Sequence, residues 1–264
     1  MGNLVDYETD RGVALITLND PPVHCYTHEM LTELDGLITE ARFDDDVRVL
    51  VITGHGENYF CAGANINMLR EVDPGFRYNF FLYTSETMSR LEHTPKLVIA
   101  ALNGHAVGGG FEIALACDIR IARADAGTVG LPEINLGILP GGGGTQRLAR
   151  MVGKGCAMQL VLEGEKLSFD RAASLGLINH VWSTSSHAQF MEQVLGYAHG
   201  FCSPHKAPLA VAKAKRAVQA AYETTIEQGV GIERELLAQV LCSEDAQEGL
   251  AAWLEKRDPR FHGK

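Results

Sequence analysis

Short apolar runs alternate with amphipathic stretches through the first two-thirds of the chain. Residues 12–18 (GVALITL) and 47–53 (VRVLVIT) are rich in β-branched residues and predict strands. Between them Met30, Leu31, Leu34, Leu37, Ile38 and Ala41 repeat at the spacing of one helix face, with Thr27 placed to cap its start. Asp73-Pro74 predicts a second helix, carrying Phe76, Phe80, Tyr83, Met88 and Leu91, with proline at its first position. Residues 96–102 (KLVIAAL) and 118–122 (DIRIA) predict two further strands, and 111–117 a helical run between them.

Beyond about residue 144 the pattern becomes helix after helix. Segments 145–152, 155–162, 186–201, 206–222, 225–241 and 246–256 all fit helical periodicity, and Cys202-Ser203-Pro204 breaks two of them apart. The expected fold class is α/β, an α/β core followed by a helical C-terminal region that covers the core or packs against other subunits. The expected division is a core over 1–200 and a helical oligomerisation region over 201–264. No internal repeat or low-complexity segment stands out.

Composition narrows the function classes. The 264 residues are 46% hydrophobic and 21% charged, which excludes disorder, collagen and coiled coil as descriptions of the whole chain. The net charge of -10 sets a nucleic-acid binder at a disadvantage, because such proteins carry a basic surface. Six scattered cysteines without a C-x-x-C pair read as reduced thiols rather than a disulfide frame or zinc site. The N-terminal residues show neither the pattern of a signal peptide nor that of a myristoylation site, and no apolar run reaches the ~18 residues of a membrane span. A soluble, cytoplasmic protein is expected.

Glycine carries the candidate chemistry. Gly104, Gly108-Gly109-Gly110, Gly137 and residues 141–144 cluster within a short stretch. The triplet lies between a predicted strand and a predicted helix, where backbone amides can face a ligand at the positive end of the helix; for the triplet alone, a tight turn is the favoured reading. No phosphate-loop, dinucleotide, nucleophile-elbow or H-E-x-x-H pattern is present, the ten histidines lack ligand spacing, and Asp44-Asp45-Asp46 reads as a solvated turn. Two glutamates raise the interest of the glycine segment. Glu112 sits in the apolar run F-E-I-A-L-A, and Glu133 in G-L-P-E-I-N-L-G. Two such carboxylates beside an amide cradle suit acid/base work on a substrate bearing an oxyanion; a helix cap and a salt-bridge partner are the plainer alternatives.

The segments IAALNGHAVGGGFEIALACD (99–118) and GLPEINLGILPGGGGTQRL (130–148) resemble the signature of the crotonase, or enoyl-CoA hydratase/isomerase, superfamily. The block YFCAGANI (59–66) and the closing EKRDPRF (255–261) are similar to it as well, and the match runs from about residue 5 to the end. The resemblance implies a spiral of ββα units followed by C-terminal helices, assembled as a homotrimer or homohexamer, acting on an acyl-CoA thioester. It implies that the Ala64 and Gly109 amides receive the thioester oxygen, and that Glu112 and Glu133 are the paired glutamates of the hydratase branch. By the same resemblance Ala62, Asn65 and Ile66 lie along the CoA site, and Gly141 helps hold the reacting water. No separate cofactor and no metal are implied, since coenzyme A is part of the substrate.

Both glutamates together favour hydration of a 2-enoyl-CoA, with an isomerase or a hydratase for a branched or acidic enoyl-CoA as alternatives. A non-catalytic acyl-CoA- or RNA-binding relative is a further reading, using Arg147, Arg150, Lys154, Lys206, Lys213, Lys215 and Arg216 as a basic strip. Two departures from the family pattern stand out: Asn65 where aspartate is usual, and Val23-His24-Cys25-Tyr26 where relatives carry P-x-N-A-L, a stretch expected along the pantetheine path.

Overall fold

The structure, a computed structural model, describes residues 4–264; Met1–Asn3, the start of the stretch read above for targeting signals, lie outside the described residues. The chain enters through an antiparallel hairpin, β1 (Val5–Asp10) and β2 (Val13–Leu18), and a long helix, α1 (His28–Phe43). It then makes three passes of one pattern: a long strand, a tight corner, a short strand and helix. The first pass is β3 (Val49–Gly54), β4 (Tyr59–Cys61), α2 (Ile66–Glu71) and α3 (Pro74–Glu92). The second is β5 (Leu97–Leu102), β6 (His105–Val107) and α4 (Gly109–Ala116). The third is β7 (Ile119–Arg123), β8 (Thr128–Gly130), a 3-10 turn (Pro132–Leu136) and α5 (Gly144–Glu163). There follow β9 (Lys166–Ser168), α6 (Phe169–Ser174), β10 (His180–Trp182), α7 (His187–His199), α8 (Pro208–Glu223), α9 (Ile226–Leu241) and α10 (Glu244–Glu255).

Each pass adds one strand to each of two sheets, so the chain winds as a spiral. The long strands, with the three-residue β10 at one edge, form a sheet in the order β1-β2-β3-β5-β7-β10, parallel from β2 onward. The short ones form a second sheet, β4-β6-β8-β9, with only the last pair antiparallel. Both faces of the long sheet are covered. Leu50, Ile52, Val98, Ala100 and Leu102 meet the core built with α1, α3 and α4, while Val49, Val51, Leu97, Ile99 and Ala101 meet Phe190, Val194 and Ala198 of α7. This double burial is why these strands read as unbroken apolar runs.

The corner between the sheets depends on Asn103 and Gly104. The buried Asn103 carboxamide donates to the carbonyls of Gly54, Gly56 and Tyr59 and accepts from Gly54 N–H and the Thr53 hydroxyl. Gly104 passes so close to Asn58 and Tyr59 that a Cβ would meet the Tyr59 nitrogen at 2.5 Å. One side chain thereby fixes two successive passes against each other.

The expected strands and helices are found with ends shifted by a few residues. The Thr27 hydroxyl accepts from Met30 N–H, and Asp73 caps α3 through Gly75 and Phe76 N–H. The two segments read as 145–152 and 155–162 are indeed two helices, which meet in a kink at Gly153 (φ 78°, ψ 160°, not helical) and together carry the label α5. The last helix starts at Glu244 rather than 246, because the Ser243 hydroxyl accepts from Ala246 N–H and sets its first turn.

Within the 201–264 region, α8 is tied to the core by a buried ion pair. Lys215 Nζ lies 2.8 Å from the Asp118 carboxylate and donates to Lys96 O at 3.0 Å, while Asp118 also accepts from Val98 N–H. Burial pushes the Asp118 carboxyl up despite the pull of Lys215. Lys215→Met would leave that carboxylate buried with its cation gone. The expected loss is about 3 kcal/mol of unfolding free energy, read by denaturant titration. Asp118→Asn/Lys215→Met should recover part of it; an unchanged single variant would show that the pair does not anchor the helix.

Candidate active site

Strand β6 delivers the chain to Gly108, which adopts φ 57° and ψ -133°, a conformation that side chains other than glycine resist. Gly108 donates its N–H to Gly130 O at 2.9 Å, and its carbonyl accepts from Phe111 and Glu112. The next amide, Gly109, stands in the first turn of α4, where no preceding carbonyl is available to it and the helix end is positive.

A second segment meets this helix end. Ala62 N–H donates to Val23 O at 3.0 Å, Asn65 N–H to Tyr26 O at 2.9 Å, and Gly63 N–H to Cys61 Sγ at 3.4 Å; the Ala64 N–H takes no part in these bonds. Gly63 backs directly onto the Gly109 nitrogen, 2.9 Å from where its own Cβ would be. Ala64 and Gly109 therefore present amides from adjoining segments. Both line one cavity of about 120 Å³, whose walls include Glu112, Glu133, Tyr26 and Phe81.

The two glutamates occupy different environments. Glu112, one turn into α4, is 1% exposed, and its Oε1 accepts from Gly142 N–H at 2.8 Å and Gly144 N–H at 2.7 Å. Burial pushes its carboxyl up, opposed by those amides and by Arg147. Arg147 also holds the loop: it donates to Gly142 O and pairs with Glu92 at 2.7 Å. Glu133 sits on the 3-10 turn facing Gly108, and its buried Oε2 has no hydrogen-bond partner. Burial, with a contribution from the Glu112 charge, raises its pKa to about 7. One carboxylate is thus fixed by the chain, and the other is held near neutrality with a free oxygen.

Of the residues singled out in the sequence, Ala62, Ala64, Ile66, Gly109, Glu112, Glu133 and Gly141 all line this cavity. Asn65 does not: its Oδ1 accepts from Met68 N–H and caps α2. Aspartate would cap equally, so the departure at 65 is absorbed by the helix. His24 is also off the cavity, buried with its ring between Asp20 N–H and His55 O. Tyr26, from the same stretch, forms cavity wall beside Gly109. Burial and the neighbouring Glu112 raise its pKa well above the usual range, so the phenol keeps its proton.

Sequence reasoning missed the Gly142 and Gly144 amides that hold Glu112. The only signal for them was the run of glycines opening α5. The basic strip is partly neutralised, since Arg147, Lys215 and Arg216 are paired with Glu92, Asp118 and Glu223. Among the described residues no cluster of His, Cys, Asp or Glu is placed to hold a metal, and no helix is long and apolar enough to cross a membrane.

Residues 8–264 match the family model described as enoyl-CoA hydratase/isomerase. The short-chain-enoyl-CoA hydratase of Clostridium acetobutylicum is 38% identical over 256 residues, covering 97% of this chain and 96% of that one. The 2,3-dehydroadipyl-CoA hydratase of Escherichia coli is 37% identical over 253 residues, covering 96% of each. The crystal structure of an enoyl-CoA hydratase from Bacillus anthracis matches with a TM-score of 0.92 at 33% identity, covering 99% of this chain and 100% of that one.

Proposed function

The chain belongs to the enoyl-CoA hydratase/isomerase family, and on that premise we propose that it reversibly adds water across the 2,3 double bond of a 2-enoyl-CoA thioester, giving a 3-hydroxyacyl-CoA. The observation that carries this reading is the pair of unlike carboxylates facing one cavity beside two available amides.

The Ala64 and Gly109 N–H groups receive the thioester oxygen and stabilise the enolate that forms as oxygen adds at C3. Glu112, its Oε1 anchored by Gly142 and Gly144, orients the water and takes its proton. Glu133, with a pKa of about 7, delivers a proton to C2 from its unpartnered oxygen. Hydroxyl and hydrogen thus come to C3 and C2, and Glu112 returns the water proton to Glu133 through solvent. Coenzyme A enters and leaves as part of the substrate. The test is a panel of purified 2-enoyl-CoAs of differing length, branching and charge, followed by loss of the conjugated absorbance. An isomerase reading uses Glu133 alone to move a proton between C4 and C2; its free oxygen suits that role, so the Glu112 variant described in the Discussion separates the two.

Assembly as a homotrimer or homohexamer belongs to the same proposal. Val218 and Tyr222 on α8, Leu237 and Leu241 on α9, and Trp253 and Leu254 on α10 are all exposed, Trp253 to 83%. Apolar surface of this size on successive helices is expected to be covered by another copy. Light scattering at micromolar concentration should give three or six times the chain mass, and a sharp monomer peak would contradict the assignment.

A further inference from the structure

The reaction cavity and a second depression on the outer surface share a wall. Phe81 of α3 and Gly141 line both. The outer depression, about 360 Å³, lies among Arg77, Tyr78, Leu82 and Ser85, and the inner cavity is about 120 Å³. What separates them is the Phe81 ring laid against the Gly141 backbone: a Cβ at Gly141 would meet Phe81 Cε1 at 2.8 Å. Gly141 is not in the left-handed region, so its backbone conformation does not demand glycine; the ring contact does. The buried Phe80 packs edge-on against Phe81 at 5.3 Å and restricts the movement of its ring.

We propose that Phe81 sets the acyl length of the substrate, closing the cavity so that the enzyme takes short, crotonyl-sized 2-enoyl-CoAs. The proposal rests on the hydratase reading and deepens it by naming the substrate class. A longer tail meets the ring where Gly141 and Phe81 touch. To continue, it must displace an aromatic side chain held by Phe80 or leave its methylenes in water. With the ring removed, the cavity opens into the outer depression, where Tyr78 and Leu82 offer apolar cover.

The experiment compares the wild-type protein with Phe81→Ala and Phe81→Leu on 2-butenoyl-, 2-octenoyl- and 2-dodecenoyl-CoA. Binding of the saturated butyryl-, octanoyl- and lauroyl-CoAs is measured in parallel by calorimetry. The wild type should prefer four carbons over twelve by roughly 10² or more in kcat/KM. Phe81→Ala should raise the twelve-to-four ratio at least about tenfold, with Phe81→Leu between, a change of the size that one or two methylenes make in an apolar pocket. The same order should appear in the binding constants. Phe81→Leu, which keeps most of the side-chain volume, carries the test if Phe81→Ala does not fold. Equal use of four and twelve carbons by the wild type, or an unchanged ratio in a folded variant, overturns the proposal while hydration stands. Length-dependent binding without turnover of any enoyl-CoA overturns the hydratase reading while the role of Phe81 stands.

Discussion

Glu133→Gln is expected to lower kcat on a short 2-enoyl-CoA by roughly 10²–10⁴, the scale on which a positioned acid or base contributes. Two further readings distinguish a catalytic acid from a bystander. Burial and the charge on Glu112 hold the Glu133 pKa at about 7, so hydration by the protonated form should decline as pH rises through about 7. That limb should be missing in the variant. Stability moves in the same direction. The folded-state pKa lies above the ordinary 4.5, so the folded protein binds more protons than the unfolded chain between those values. Stability is therefore lost as pH rises through that window. Glu133→Gln removes the loss and should melt higher than the wild type at pH 8, with the gap closing below pH 5.

Glu112→Gln should lower hydration by a similar factor, and its fold should survive. The Gln carbonyl oxygen can keep both bonds from Gly142 and Gly144 N–H, while the ability to take a proton is gone. Full turnover of a 2-enoyl-CoA by this variant would make Glu112 structural and favour the isomerase reading.

The second large effect is expected at Gly109. Adding one methyl there, as Gly109→Ala, would set a Cβ 2.6 Å from Tyr26 Cζ, closer than atoms tolerate. Tyr26 has little room to swing away: its backbone is held by Gly63 and Asn65, and its ring is buried, with the Phe80 ring 6.0 Å from it. The amide at 109 must shift instead, and losing one oxyanion donor typically costs ~10²–10³ in kcat. Affinity for the CoA portion should change much less. Gly109→Pro removes the N–H outright but carries the same clash, so alone it cannot separate donor from packing. The cycle with Tyr26→Ala does: Gly109→Ala/Tyr26→Ala should recover part of the kcat lost in Gly109→Ala. Wild-type kcat in a folded Gly109→Ala protein would remove Gly109 from the oxyanion site. Joint collapse of CoA affinity and kcat would make it a residue that shapes the pocket.

These expectations mark what could be read from the chain and what could not. The long strands were legible because burial on both faces leaves an unbroken apolar run, and α1 because Thr27 and a regular apolar stripe announce it. The second sheet was not legible: β4, β6 and β8 are three residues each, too short for any period, and exist because the long strands set their register. Short α2, six residues beginning at the last residue of the block that carries Ala64, is too brief to show a period. At the site, Glu112 and Glu133 showed themselves as acids in apolar surroundings. Their unlike environments did not, because the amides that pin Glu112 come from a segment thirty residues on, an arrangement made only by folding. Tyr26 reaches the cavity through a bridge to Ala64 that no local pattern announces.

The corner residue Asn103 bears on how the protein ages. It is followed by Gly104, and an Asn-Gly pair in a free chain readily cyclises, because nothing shields the glycine nitrogen from the side-chain carbonyl. Here the carboxamide is held by five hydrogen bonds, from Thr53, from Gly54 and to three carbonyls, so the folded state keeps it from its own neighbour. Deamidation should therefore accumulate only in molecules that unfold. Each one modified would carry a carboxylate where three carbonyls need a donor, and would be unable to rebuild the corner. For a stored preparation the useful lifetime is then set by how often the chain opens, not by how long it stands in water.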